Sequence, residues 1–333
     1  MPHHRKKTSV IGDSVEDVAE YIVQHNVKNI LVLVGAGISV AAGIPDFRSP
    51  NTGIYAQLEK YNLDEPSDAF SIDLLREHPH IFYSIAQEMD LWPGRYKPTR
   101  VHHFIKLLAD KGLLLRCCTQ NIDGLEGAAG LSAEHIVEAH GSFRTSSCID
   151  CHLPYDTATN KKEAFDGLIS RCPECGGIVK PDVVFFGEQL PPQFFEVLVR
   201  DTQSADMVMI LGTSLQVHPF AALPHRVRLG VPRIVINRER VGGRVFHFPT
   251  DMEPAPSSSS DAASSDGGRE GGTSTSSSDG MTQYGEFERP ALLRDLFFPG
   301  DCQEVVLELA KAMGLEEELA AAEESLASSE CSE

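Results

Sequence analysis

The 333-residue sequence contains no hydrophobic run near the roughly 18 residues that a membrane-spanning helix needs. The opening stretch MPHHRKKTSV is basic, but no apolar segment follows it. We therefore expect no secretory signal and no membrane association. HHRKK resembles a weak nuclear signal, although such a basic start is more often a solvated tail, and we predict a flexible N-terminus over residues 1–13.

Positive charge is also scarce, since 29 Lys and Arg residues face 48 Asp and Glu residues and the formal net charge is −19. Such a chain lacks the broad basic surface with which proteins neutralise nucleic-acid phosphates. We expect no direct nucleic-acid binding, and a basic partner such as a lysine-bearing protein tail instead. Part of the acidity lies at the C-terminus, where we predict an acidic tail over residues 317–333.

Four of the eight cysteines form two C-x-x-C pairs. Cys148 and Cys151 make the first pair, and Cys172 and Cys175 the second. Two such turns can direct four thiolates at one Zn²⁺, and four cysteines fill its coordination sphere, so the predicted zinc is structural. The alternative is a redox pair, which two pairs at this spacing disfavour.

Apolar segments alternate with helical patterns along much of the chain. Residues 29–34 (NILVLV) run into a glycine turn and predict a buried parallel strand. Further strands are predicted at 113–119, 135–140, 206–211 and 233–237, and helices at 100–111, 191–203 and 218–228. An earlier helix over residues 15–23 places Val15, Val18, Ala19, Ile22 and Val23 on one face. This alternation predicts an α/β fold with a doubly wound, Rossmann-like parallel sheet.

Three segments interrupt this pattern. Residues 52–98 have helical spacing and predict a helical module, and residues 141–181 hold the cysteine pairs and predict a zinc-ribbon module; together they would form a smaller lobe. Residues 250–283 are rich in Ser and Gly and predict a disordered insertion. The Rossmann-like domain would then comprise residues 14–51, 99–140, 182–249 and 284–316.

The glycine turn departs from the dinucleotide-binding pattern G-x-G-x-x-G. Gly35 and Gly37 are present, but Val40 replaces the third glycine and Gly43 comes later. About 20 residues on, no strand end supplies the acid that a dehydrogenase would use. Taken alone, this segment is as consistent with an ordinary strand-to-helix turn as with a nucleotide-binding turn. The following GIPDFRSP is typical of a loop that covers a ligand, because two prolines stiffen the backbone around an acid, an aromatic ring and a cation.

Together with four later segments, this region resembles the sirtuins, the NAD-dependent protein deacylases. The segments are GAGISVAAGIPDFRSP (35–50), TQNIDGLE (119–126), EAHGSF (138–143), GTSLQV (212–217) and GDCQE (300–304). The residues of these segments are most similar to those of the cytoplasmic, deacetylating branch of that family. The resemblance implies NAD as co-substrate, one structural Zn²⁺, acetylated protein substrates, and a cytoplasmic location with a nuclear presence left open.

By this resemblance, His140 is the general base of lysine deacetylation. The acetyl oxygen would attack the anomeric carbon of NAD and expel nicotinamide, and His140 would then help to deprotonate a ribose hydroxyl. The products would be free lysine, nicotinamide and acetylated ADP-ribose. Asn121 is assigned with His140 to catalysis and with Asp123 to the nicotinamide pocket, and Gln120 is assigned to the ribose.

Other roles also follow from the resemblance. Phe47 would cover the reactive carbon, with Asp46 and Arg48 ordering the loop around it; Asn237 and Glu239 would hold the adenosine ribose. The remaining NAD contacts implied are Gly35, Ala36, Gly37, Ile38, Ser39, Val40, Gly43, Ile44, Ile122, Gly212, Thr213, Ser214, Arg238 and Cys302. The implied acyl-lysine tunnel and peptide-pairing strand comprise Val184, Phe185, Phe186, Gly187 and Glu188.

Three alternatives stay open on the sequence. The same site could transfer ADP-ribose to a protein nucleophile. The cysteine pairs could belong to a zinc-ribbon binding module without chemistry. A dehydrogenase is disfavoured by the glycine spacing. The sequence leaves histone tails, tubulin and metabolic enzymes open as substrates, and it favours acetyl or longer apolar acyl groups over succinyl.

Overall fold

A computed structural model describes residues 11–46, 53–54, 58–61, 63, 65–243, 246, 248 and 294–328. Among these residues no helix combines the length and the apolar character that crossing a bilayer would require. Phe47, Arg48 and the predicted Ser-rich insertion lie outside the described residues.

Six parallel strands form the main sheet. In chain order they are β1 (Ile30–Val34), β2 (Leu114–Thr119), β3 (Ile136–Glu138), β7 (Met207–Leu211), β8 (Arg233–Asn237) and β9 (Asp295–Pro299). The spatial order is β3-β2-β1-β7-β8-β9, and every neighbouring pair is parallel. This is the order of a Rossmann-type sheet, in which the chain reverses direction across the sheet between β1 and β7. The predicted fold class is therefore confirmed.

Both faces of this sheet are buried, which explains the continuous apolar runs in its central strands. In β1, Ile30, Val32 and Val34 join the core on one face, whereas Leu31 and Leu33 join the core on the other. A strand alternates its side chains, so a sheet covered on both sides needs apolar residues at every position. Sequence analysis missed β9, whose only apolar residues form the short run Leu296, Phe297 and Phe298.

The helices predicted at 15–23 and 100–111 are confirmed to within one residue at each end, whereas those predicted at 191–203 and 218–228 are divided into shorter elements, as the bounds of the described helices show. Their bounds are α1 (Val15–Gln24), α2 (Ile72–Glu77), α3 (Pro79–Met89), α4 (Arg100–Asp110), α5 (Leu125–Ala128), α6 (Thr157–Phe165), α7 (Pro192–Glu196), α8 (Thr202–Ser204), α9 (Leu223–Arg226), α10 (Cys302–Ala312) and α11 (Glu316–Ser328). A π-helical turn, Val197–Asp201, joins α7 to α8, and a 3-10 turn, Phe220–Ala222, precedes α9.

Helix α1 corrects one sequence expectation. Ser14 begins it with a capping box to Asp17, and Val18, Ala19 and Ile22 are buried against the sheet. Val23 is 79% exposed, so its placement on the same face was wrong. At about 100° per residue, Val23 lies some 140° around the helix from Val18, outside the face that meets the core.

The smaller lobe combines helices with a second sheet. Strands β4 (Gly141–Cys148), β5 (Pro154–Tyr155) and β6 (Val179–Val183) form an antiparallel sheet in the order β5-β4-β6. Its core includes the rings of Phe82, Trp92, Phe143 and Phe185. Because α3 and α6 pack on this same core, the helical and cysteine-bearing modules share one interior.

Residues expected to form an acidic tail instead continue the folded body through residue 328. Helix α11 packs on α4, and Leu319 is fully buried in the core on that side of the sheet. Lys111 and Arg100 pair with Glu318 and Glu323 at 2.7 and 2.9 Å. An acidic helix can dock here because α4 offers two cations beside an apolar position.

Candidate functional site

The glycine turn meets a second turn at the point where the sheet order reverses. The N–H of Gly37 donates to the carbonyl of Gly212, just past β7, at 2.8 Å. A Cβ on Gly37 would lie 2.7 Å from the Cα of Gly212, and one on Gly35 would lie 2.7 Å from the Cβ of Thr213. Both glycines are thus required by the close approach of two strand ends, where ligands bind in open α/β sheets.

The local structure also explains the missing third glycine. After Gly35 the chain forms two short 3-10 turns, Ala36–Ile38 and Val40–Ala42, rather than a long helix. In a dinucleotide fold the third glycine allows the first helix to pack closely on the strand, and here no such helix follows the turn. Val40 is accommodated, and Gly43, at φ +90°, ends the second turn in a left-handed conformation.

A polar cluster lies beside this turn at the ends of β1 and β2. The Asn121 amide donates to Ser39 Oγ and to the carbonyl of Gly35, both at 3.2 Å. Ser39 Oγ donates to Asp123 Oδ2 at 2.8 Å. These residues line a pocket whose other walls include Ala36, Ile44, Pro45 and Ile122. The pocket is apolar in its walls, with the amide of Asn121 and the carboxyl group of Asp123 at one side.

The carboxyl groups of this cluster have unusual protonation. Burial raises the pKa of Asp123 above 3.8, although hydrogen bonds from the Leu125 N–H and from Ser39 oppose this shift. Burial, with the nearby Asp123 charge, raises the pKa of Glu126 to about 8. Glu126 is only 1% exposed. Near neutral pH we therefore expect this pair of carboxyls to retain a proton.

His102 completes the buried group, with ring and carboxyl atoms of His102, Asp123 and Glu126 within 4.8 Å of one another. The backbone N–H of Thr99 donates to His102 Nδ1 at 3.1 Å, so the neutral ring carries its proton on Nε2. This tautomer disfavours metal binding through Nε2. Burial lowers the pKa of His102 to about 3. Sequence analysis missed His102 and Glu126, and the only signal was a polar residue within apolar helical segments.

His140 lies at the end of β3, with its side chain largely covered. Its Nδ1–H donates to the carbonyl of Gln120 at 3.1 Å, which leaves Nε2 as the acceptor. Burial lowers the pKa of His140 below 6.5, with a smaller opposing effect from this hydrogen bond. The imidazole is therefore neutral near pH 7 and able to accept a proton. The backbone carbonyl of His140 accepts from the N–H of Val184 at 2.8 Å.

The turn after β7 supplies hydroxyl groups to the same edge of the sheet. Thr213 Oγ1 donates to the side-chain oxygen of Gln120 and accepts the N–H of Leu215 at 3.1 Å. Gly212 has φ +59° and no side chain, and its N–H donates to the carbonyl of Ile236 at 3.1 Å, so the turn can lie against Gly37. Gln120 and Thr213, which are 93 positions apart in the chain, thus meet past the ends of β2 and β7, the two strands that flank β1.

A cavity of about 380 Å³ opens on the other side of this turn. Ser214, Asn237 and Glu239 line it, together with Gln216, Arg240 and the Gly242–Gly243 pair, which sequence analysis missed. Arg238 points to Asp301, with its guanidinium 2.8 Å from the carboxylate. Cys302 is buried, its Sγ lies 3.4 Å from the carbonyl of Ile236, and burial raises its pKa to about 11, so the thiol is unreactive at neutral pH.

The two cavities lie along the edge of the main sheet where its parallel strands end. The roomier, polar one lies at β8, the apolar one lies at β1 and β2, and the turns after β1 and β7 lie between them. Asp46 is the last described residue before the loop, and its carbonyl accepts the N–H of Ile54 at 2.8 Å.

The segment after β6 runs between His140 and helix α2. The Phe185 ring is buried against Phe82, with ring centroids 4.9 Å apart. Phe186 is 51% exposed, and its N–H and carbonyl pair with the carbonyl of Phe70 and the N–H of Ile72. Gly187 has φ +94°, which turns the chain back toward Glu188. Phe185 is thus a core residue by its ring, and the segment offers backbone to the cleft.

The four predicted cysteines converge in the smaller lobe. Their Sγ atoms lie 3.4 Å apart for Cys148 and Cys175, 3.5 Å for Cys151 and Cys175, and 3.6 Å for Cys151 and Cys172. Tetrahedral Zn²⁺ with bonds of about 2.3 Å places its sulfurs roughly 3.8 Å apart, so the donor set fits zinc. A Cβ on Gly177 would lie 2.9 Å from the Cys148 sulfur, which explains a glycine there.

Comparison with known proteins agrees with this geometry. The Sir2 family model matches residues 35–219. The chain is 56% identical over 338 residues to the NAD-dependent protein deacetylase SIR2rp1 of Leishmania major, an alignment that covers 92% of this chain and 90% of the relative. It is 54% identical over 323 residues to the protein of the same name from Trypanosoma brucei brucei, covering 94% and 91%. It is also 51% identical to the NAD-dependent protein deacetylase sirtuin-2 of Danio rerio over 235 residues, covering 70% and 62%.

Proposed function

We infer that this chain, which belongs to the Sir2 family, is an NAD-dependent protein-lysine deacetylase. The observation that carries this function is the arrangement of His140, whose Nδ1–H is held by the Gln120 carbonyl while Nε2 is kept as a base. It lies at the same sheet edge as the Asn121, Asp123 and Ser39 cluster. NAD is the co-substrate, and the four cysteines hold one structural Zn²⁺.

When bound, NAD supplies a ribose carbon that loses nicotinamide and accepts the acyl oxygen of the substrate. We assign its nicotinamide end to the pocket of Ser39, Ile44, Asn121 and Asp123. Asn121 is fixed there by two hydrogen bonds, so its orientation is set before any ligand binds. We assign the adenosine end to the cavity that Asn237 and Glu239 line.

His140 would act as the general base on a ribose hydroxyl. Its lowered pKa keeps the acceptor nitrogen free near neutral pH. The Gln120 carbonyl fixes both the tautomer and the ring direction, as a second partner does for catalytic histidines generally. Phe47 and Arg48 remain proposed NAD contacts from the family resemblance.

The protein substrate would lie along the segment Val184–Glu188. An acylated lysine is uncharged, so an apolar passage can bury its methylene groups at about 0.8 kcal/mol each. The backbone around Gly187 would pair with the peptide as an added strand, a mode that tolerates many sequences. We propose acetylated protein tails as substrates, with histone tails, tubulin and metabolic enzymes as the classes to test, and no nucleic-acid partner. The net charge of −19 supports a basic partner.

We propose a cytoplasmic location with access to the nucleus, supported by the similarity of the motifs to the cytoplasmic branch of the family. Imaging of the tagged chain in its own cells tests this. A signal confined to another compartment would contradict it.

Product analysis tests the proposed reaction. We would incubate the purified chain with NAD and an acetyl-lysine peptide, and measure the masses of peptide, chain and small molecules. We expect deacetylated peptide together with nicotinamide and acetylated ADP-ribose. ADP-ribose attached to the peptide or to the chain would instead show a transferase, and unchanged NAD would show a non-catalytic module.

A further inference from the structure

Lys180 in β6 is a charged side chain that the reaction above does not use. It is only 6% exposed. Its ammonium group donates to the carbonyl of Val183 at 2.6 Å and to that of Pro181 at 3.4 Å, and it lies 3.1 Å from Glu188 Oε2. An ammonium carries three N–H donors, and three acceptors surround this one.

The Glu188 carboxylate links this ammonium to the segment that leaves β6. Its Oε2 also accepts the N–H of Phe185 at 2.7 Å, and the N–H of Glu188 donates to the carbonyl of Phe185 at 2.9 Å. The ammonium in addition lies 4.8 Å from the centroid of the Phe185 ring. Residues 185–188 are thus closed into a turn by one carboxylate, and Lys180 ties that carboxylate to the strand.

The opposite side of this turn is held by backbone hydrogen bonds alone. The N–H of Phe186 donates to the carbonyl of Phe70 at 2.8 Å, and the N–H of Ile72 donates to the carbonyl of Phe186 at 3.1 Å. The N–H of Val184 is likewise held by the His140 carbonyl at 2.8 Å. The ion pair of Lys180 with Glu188 therefore adds a side-chain interaction to a segment whose other contacts described above are backbone hydrogen bonds.

Stability alone does not account for a cation in this place. Burying an ammonium group costs several kcal/mol, and a well-packed apolar residue often replaces a buried ion pair without loss of stability. Burial also lowers the pKa of Lys180, although the Glu188 charge opposes that shift. A charge kept at such a cost points to control of conformation.

We propose that Lys180 is a positioning residue that, through Glu188, holds residues 184–188 in the conformation that receives the acyl-lysine peptide. This inference rests on the proposed function, in which that segment pairs with the substrate backbone. Lys180 lines neither of the cavities that we assign to NAD.

Steady-state kinetics with an acetyl-lysine peptide and NAD test the role of Lys180. In Lys180→Met we expect the peptide KM to rise about tenfold, which corresponds to about 1.4 kcal/mol of binding free energy. The KM for NAD and kcat should each stay within about twofold, because a positioning role limited to the peptide leaves the chemical step unchanged. Lys180→Arg should recover most of the peptide KM, since a guanidinium group can donate to the same oxygens. The matched control is Lys161→Met, which removes a lysine that pairs with Asp90 in the same lobe at 2.8 Å.

Hydrogen exchange of the ligand-free chain gives a second readout that needs no catalysis. In Lys180→Met the amide of Phe185 should exchange about tenfold faster than in the wild type, while the amides of β1 keep their protection. An unchanged Phe185 amide, or an equal rise in the KM for peptide and for NAD, would overturn the positioning role. Were Lys180→Met not to fold, hydrogen exchange of Glu188→Gln would test the same link, because this variant removes the charge that Lys180 pairs with, and the Phe185 amide should again exchange faster than in the wild type. A wild-type chain that left NAD intact would refute the proposed function and still allow the exchange result to decide this inference.

Discussion

At the scale of single residues, His140 carries the account of catalysis. Replacing His140 with Tyr should lower kcat at pH 7.5 by a factor of about 10² to 10⁴, the usual contribution of a general base, because the ribose hydroxyl loses its proton acceptor. Product formation measured by mass checks this. A His140→Tyr variant with full activity would remove His140 from the chemistry.

The pH profile of the same reaction tests the protonation of His140. Burial lowers the pKa of the ring below 6.5, so the neutral, active form persists as the pH falls to that value. The acidic limb of kcat should therefore bend below pH 6.5, and activity is lost only as the pH falls through the lowered pKa. An inflection well above 6.5 would show that the ring is not desolvated as described.

Glu126 should affect stability rather than chemistry. Its pKa is raised from 4.5 to about 8 in the folded chain, so its protonated form favours folding fully below pH 4.5, and this contribution is lost as the pH rises toward 8. Glu126→Gln keeps the shape without the charge. We expect the Tm of Glu126→Gln minus the Tm of the wild type to be larger at pH 8 than at pH 5.

Glu134→Gln is the control for this comparison, because the Glu134 side chain is 80% exposed. Its Tm should follow that of the wild type at both pH values. A Glu126→Gln difference that is the same at pH 5 and pH 8 would contradict the buried, protonated carboxyl.

Sequence reasoning reached the residues of this site unevenly. Gln120, Asn121, Asp123 and His140 stand in recognisable motifs at strand ends, and the structure brings them to one edge of the sheet. His102 and Glu126 could not be found in this way, because a polar residue inside an apolar helical pattern looks the same whether it faces solvent or another buried group. Only the packing of α4 against α5 brings those two together.

At the scale of secondary-structure elements, the cysteine-bearing sheet depends on its metal. Removing zinc by chelation, or with Cys172→Ser, should unfold the β4-β5-β6 lobe and abolish activity, although none of the four cysteines lines either of the two cavities that we propose for NAD. Metal content and near-UV circular dichroism should fall together. Cys117→Ala, in the main sheet, is the control and should retain its zinc. Deacetylation that survives complete chelation would contradict the structural role.

Helix α11 offers a stability test with a built-in comparison. Leu319 is fully buried, so Leu319→Ala should lower the free energy of unfolding by about 2–5 kcal/mol. Val23→Ala shortens an aliphatic side chain that is 79% exposed, so the free energy of unfolding should change by no more than about 0.5 kcal/mol. Urea denaturation measures both. Similar values for the two variants would show that α11 is not docked on α4.

The strands of the main sheet were predictable from the sequence where their side chains are buried on both faces of the sheet. Strands β1 and β7 are apolar at every position, and a run of this kind is typical of a strand that is buried on both faces of a sheet. Helix α11 was not anticipated because its sequence is acidic and, among its described side chains, only Leu319 is buried. Strand β9 was missed because three apolar residues do not distinguish a strand from a loop.

At the scale of the whole molecule, the proposed function draws on residues of both lobes. The main sheet supplies His140 and the polar cluster, and the smaller lobe supplies the segment after β6 that we assign to the peptide. The sequence predicted both lobes by their different patterns, alternating strands in one and cysteine pairs in the other. It could not predict that the helical and cysteine-bearing modules share one core, since that depends on contacts between residues about 100 positions apart, such as Phe82 and Phe185.

The most direct test of the account is the stoichiometry of deacetylation with and without NAD. We expect no loss of acetyl groups from a peptide when NAD is omitted. When NAD is present, each lysine that is freed should be matched by one nicotinamide and one acetylated ADP-ribose. Deacetylation at the same rate without NAD would contradict the account.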